Sequence, residues 1–82
     1  MRIVSRIPHP HFHITVFQFN DHYILKIQLG DFEQSLRFRI EDLEDPERCA
    51  EFFEDPQNLE IIKKNFLALK EIQDGFLQRI QG

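Results

Sequence analysis

No tryptophan, one cysteine and three glycines occur in 82 residues, and each scarcity removes a class of protein. Cys49 stands alone, so no intrachain disulfide can form, and without a CxxC or CxxH pair no structural zinc site is encoded. So few glycines leave no Gly-rich loop to cradle phosphates, and neither GxSxG nor HExxH occurs. No stretch approaches the ~20 apolar residues of a membrane span. Residues 1–8 hold no apolar run long enough for a secretory signal. With the unpaired cysteine, which suits a reducing compartment, this predicts a cytoplasmic protein that does not cross a membrane.

What the chain has instead is phenylalanine, nine of them. A chain this short sits near the lower limit for an unstapled core, and each ring can remove roughly 150–250 Å² from water. One domain over residues 1–82 is expected, helped by self-association. The net charge of −4 is divided unevenly: residues 1–40 carry five basic and three acidic side chains, residues 41–82 five basic and eleven acidic. The acids crowd between Glu41 and Glu60, as on solvated helix starts.

The period of the pattern changes once, near residue 41. Before it, apolar and polar residues alternate, predicting strands over about 12–19, 22–29 and 32–40. Asn20-Asp21 and Gly30-Asp31 separate them, and both pairs tolerate the positive φ of two-residue hairpin turns. Such turns fix the register, pairing Val16 with Leu25, Ile14 with Ile27 and Leu25 with Leu36. One face then collects Phe12, Ile14, Val16, Leu25, Ile27, Leu29, Phe32, Leu36, Phe38 and Ile40, a core face with Gln18, Tyr23 and Gln34 as its polar members. The other is mixed and basic, with Phe17, Phe19 and Ile24 as its apolar residues. A lone meander cannot keep a face dry, so helices must cover the first.

Two matching signals start those helices. Asp45-Pro46-Glu47 and Asp55-Pro56-Gln57 each place a capping acid before a proline at the first helical position. The pattern predicts a short helix over about 46–54 and a long one over about 56–80, with Leu59, Ile62, Phe66 and Leu69 on one stripe. Gly75 could stop the long helix, but Phe76, Leu77 and Ile80 resume the stripe beyond it, which predicts that the helix continues. At about 37 Å it is longer than an eight-residue strand of about 26 Å. The expected fold is α+β: a three-stranded antiparallel β-meander, then a short helix and a long C-terminal helix packed on one sheet face.

Little in this pattern points to catalysis. His9, His11 and His13 alternate as strand residues do, yet neighbours at that spacing lie about 6–7 Å apart, too far for three imidazoles to share one ion unaided. Cys49 lies near a helix start, where a thiol can be activated, but Glu47, Glu51 and Glu54 surround it, and a small buried core residue is the better reading. The carboxylates between Glu41 and Glu60 show no sign of the desolvation that acid–base work requires. The sequence predicts no enzyme, no cofactor and no metal site.

Two readings of function remain. The favoured one is a protein–protein interaction or assembly module, first of all a homodimer, with Phe76, Leu77 and Ile80 at the helix end and Phe17, Phe19 and Ile24 on the sheet as candidate interface. The alternative is a single-stranded nucleic-acid module, with Lys26, Arg37 and Arg39 tracking the backbone beside phenylalanines that stack bases. Against it stand the missing RNP-type sequences and the acidic second half.

Overall fold

Two residues with left-handed backbone set the sheet. Asn20 (φ 56°) and Gly30 (φ 59°) close two-residue turns, which positive φ matches to the twist of the flanking strands. In the computed structural model, which describes Met1–Gln81, these turns join β2 (His13–Phe19), β3 (His22–Leu29) and β4 (Phe32–Arg39). Val16 pairs with Leu25, Ile14 with Ile27, Leu25 with Leu36 and Tyr23 with Phe38, the register that the turn residues dictate.

The sheet has four strands, not three. β1 (Arg2–Ile7) pairs antiparallel with β2, giving the order β1-β2-β3-β4. Ile3 pairs with Phe17 and Ser5 with Val16, so Val4 is an extra residue at a bulge. The bulge moves the strand's apolar side chains between faces: Ile3 lies beside Phe17, whereas Ile7 pairs with Ile14 and is buried. That change of phase, followed by Pro8 and Pro10, hides the strand from any reading that depends on strict alternation.

Three other boundaries differ from expectation. β2 begins at His13, with Phe12 buried just ahead of it. β4 ends at Arg39, and Ile40 opens a single helical turn, α1 (Ile40–Leu43), whose first amide donates to the Asp21 carbonyl at 3.0 Å. The expected helix over 46–54 divides into a 3₁₀ turn at Pro46–Arg48 and a single α-turn, α2 (Cys49–Phe52). Its cap is as expected: Asp45 Oδ1 accepts from the Glu47 amide at 2.9 Å.

α3 (Pro56–Gln81) is one continuous helix of 26 residues, about 39 Å long. Asp55 Oδ1 caps it by accepting from the Gln57 amide at 2.9 Å, and the helix runs through Gly75 without interruption. No helix among the described residues is long and apolar enough to cross a membrane.

The core lies between one sheet face and the helices. Ile14, Val16, Leu25 and Ile27 of the sheet join Cys49, Phe53, Ile62 and Phe66 in one cluster. Phe12 and Phe66 stack with centroids 5.6 Å apart, an arrangement that adds to simple area burial. Gln34, a polar residue on the core face, fixes α3 to β4: its Nε2 donates to the Ile62 carbonyl at 3.0 Å, and its Oε1 accepts from Asn65 Nδ2 at 3.2 Å.

Candidate interaction surfaces

Sheet contact ends part-way along α3. Ile62 and Phe66 are buried and Leu69 is half-buried, but every residue from Lys70 to Gln81 is exposed. Those twelve residues, about 18 Å of helix, include Ile72, Phe76, Leu77 and Ile80, exposed by 69, 63, 43 and 65%. The sequence places Phe76, Leu77 and Ile80 together, and the structure presents them as one bare surface on the stripe that is buried lower down.

Leu67, exposed by 62%, lies on another flank of α3 and escapes the stripe-based reading because it points away from the stripe. It lines a groove of about 640 Å³ between α3 and the tip of the β3–β4 hairpin, with Phe66, Lys63 and Lys70 on the helix and Leu29 and Phe32 on the hairpin. Leu29 itself is 40% exposed, so the groove floor is apolar and open, with Lys63, Lys70 and Asp31 around it.

The second sheet face is not covered by helix. Phe19 is exposed, Phe17 half-buried, and β1 adds exposed Ile3 and Arg6. Ile24, expected as an interface residue, is buried instead (7% exposed) although it stands outside the core cluster. It sits in the middle of the sheet between Phe17 and Arg37 on its own face, and those long neighbours screen it. Any partner on this face would meet Phe17 and Phe19, not Ile24.

The candidate nucleic-acid residues share that face. Arg37 and Arg39 are exposed, and Arg39 Nη1 lies 3.6 Å from Glu41 Oε1. Lys26 Nζ sits over the Phe17 ring, 5.1 Å from its centroid. That cation–π contact occupies the ring surface on which a base would stack, and Glu33 sits at the far end of the same face.

His9 has a structural job. Its Nδ1 accepts from the amides of His11 (3.1 Å) and Phe12 (3.3 Å), tying the β1–β2 loop, and its ring stacks on Phe12 at 4.9 Å. Both bonds require an unprotonated Nδ1. Desolvation, then the neighbouring charges of His11 and Lys63, lowers its pKa. His11 and His13 are exposed, and no group of three histidine, cysteine or carboxylate side chains among the described residues is arranged to hold a metal.

Cys49 is buried in the core. Burial first, then Asp45, raises its pKa, only partly offset by a backbone hydrogen bond. A raised thiol pKa disfavours the nucleophilic thiolate.

Compared with protein-family models, curated proteins and solved structures, the chain matches none.

Proposed function

We propose that the protein is a non-enzymatic assembly module whose first partner is a second copy of itself, the two copies meeting through the far half of α3. One observation carries this reading: twelve consecutive helical residues, Lys70 to Gln81, are exposed while presenting Ile72, Phe76, Leu77 and Ile80. A helical segment that short, with Gly75 inside it, is marginal in water without tertiary contact. Each large apolar side chain left in water forgoes roughly 1.5–3 kcal/mol of burial. A two-fold partner answers both deficits, since one self-complementary patch is buried twice.

Light scattering coupled to gel filtration across a broad range of concentration tests the reading. The full chain is expected to run as a dimer, and Phe76→Asp or deletion of residues 75–82 to run as a folded monomer by circular dichroism. Identical association states for all three chains would refute it. A monomer carrying nucleic acid that salt removes would turn attention to Lys26, Arg37 and Arg39.

A further inference from the structure

α3 carries a second seam, beside the stripe that docks on its own sheet and sharing Leu77 with the edge of that stripe. Lys63, Leu67, Lys70, Asp74, Leu77 and Gln81 follow one another at steps of 4, 3, 4, 3 and 4 residues. That spacing keeps side chains on one flank of a helix, and all six are exposed. Written backwards, the seam complements itself. An antiparallel copy centred level with Ile72 brings Leu67 to Leu77, Lys70 to Asp74, and Lys63 to Gln81, each pair occurring twice.

We infer that two copies associate through this seam, each α3 running antiparallel beside the other with Lys70 of one copy paired to Asp74 of the second and Leu67 packed on Leu77. The inference rests on the self-association proposed above and assigns its partner surface and register. The groove supplies independent support. It lies on this same flank, bounded by Lys63, Leu67 and Lys70, and its floor is Leu29 and Phe32 of the hairpin. In the two-fold arrangement the docking stripes of both helices face the same way. The second copy's Ile80, in line with Ile62 on the helix, then comes level with residue 64 and points toward that floor. An apolar cavity of about 150 Å³ already holds a benzene, so a groove of about 640 Å³ accommodates that side chain. Lys63 and Lys70 outnumber Asp31 around the groove, and they attract the second copy's Asp74 and the carbonyl end of its helix.

Charge exchange tests the register by sedimentation equilibrium at low salt. Lys70→Glu places two acids, and Asp74→Lys two bases, on the seam of each copy, so each variant alone meets like charges twice. Each is expected to dimerise about ten- to a hundredfold more weakly than the wild type. A one-to-one mixture restores opposite charges at both positions and is expected to recover association, as heterodimers, to within about threefold of wild type. The rescue distinguishes contact between copies from intrahelical repulsion between positions 70 and 74, which mixing leaves untouched. Leu67→Asp, outside the bare helix end and already exposed, should also dissociate the pair without unfolding the chain. A dimeric wild type whose charge variants and Leu67→Asp associate unchanged, or whose variants are not rescued by mixing, removes this register and leaves self-association standing. A monomeric wild type up to about 100 µM, a hundred times a micromolar dissociation constant, removes both.

Discussion

The two halves of α3 are made from the same stripe and meet different fates. From Pro56 to Leu69 the helix rests on the sheet, with Ile62 and Phe66 buried and Gln34 bonded to both Ile62 and Asn65. From Lys70 to Gln81 the stripe continues through Phe76 and Ile80, but no sheet lies beneath it. Apolar periodicity specifies which side of a helix wants cover; it does not say whether the cover comes from the same chain. Strand length decides that. Eight-residue strands span about 26 Å, so the longer helix outruns them.

The largest expected effect lies in the docked half. Phe66→Ala removes a ring that is 4% exposed and stacked on Phe12, and should cost about 3–5 kcal/mol by urea unfolding, close to the whole stability of a domain this small. An unchanged midpoint would mean that this half is no better anchored than the other. A smaller effect is expected where the halves differ in polar contact. Gln34→Ala removes two hydrogen bonds to α3 and should cost roughly 1–2 kcal/mol with the denaturant slope unchanged; a neutral result would assign docking to apolar packing alone. The smallest effect belongs to the bare half. A β-carbon added at Gly75 meets nothing within 4 Å, and Gly75→Ala should favour helix there by about 1 kcal/mol. In a Phe76→Asp background, ellipticity at 222 nm should rise while the urea midpoint hardly moves. A midpoint that shifts by the full amount would show that the two halves unfold as one.

What could be read from the sequence follows the strength of each local signal. β2, β3 and β4 were legible because Asn20 and Gly30 fix two-residue turns and the alternation between them is unbroken. β1 was not, since the bulge at Val4 changes phase mid-strand. α1 was hidden because Ile40 continues the alternation of β4 while beginning a helical turn. The passage of α3 through Gly75 was legible from Phe76 and Ile80, which continue the stripe laid down by Ile62 and Phe66. Within the candidate surfaces, Phe76, Leu77 and Ile80 are as bare as the pattern implies. Ile24 is not, because burial in the middle of a sheet depends on the length of neighbouring side chains as well as on helix cover. Leu67 was missed because a search for one stripe passes over a residue on the flank.

The strand order has a consequence in time. Each strand pairs with its neighbour in sequence, so the sheet needs only short loops to close and is complete once Arg39 is available. Its apolar face then waits for Phe66, which follows 27 residues later. At about 5–20 residues per second a ribosome takes roughly 1–5 s to supply them. For that interval a finished sheet presents Ile14, Val16, Leu25 and Ile27 with at most Cys49 and Phe53 of its later cover to lay over them. The rate at which residues 40–66 leave the ribosome is therefore a determinant of yield: slowing translation while Arg39 has emerged and Phe66 has not should increase aggregation of nascent chains.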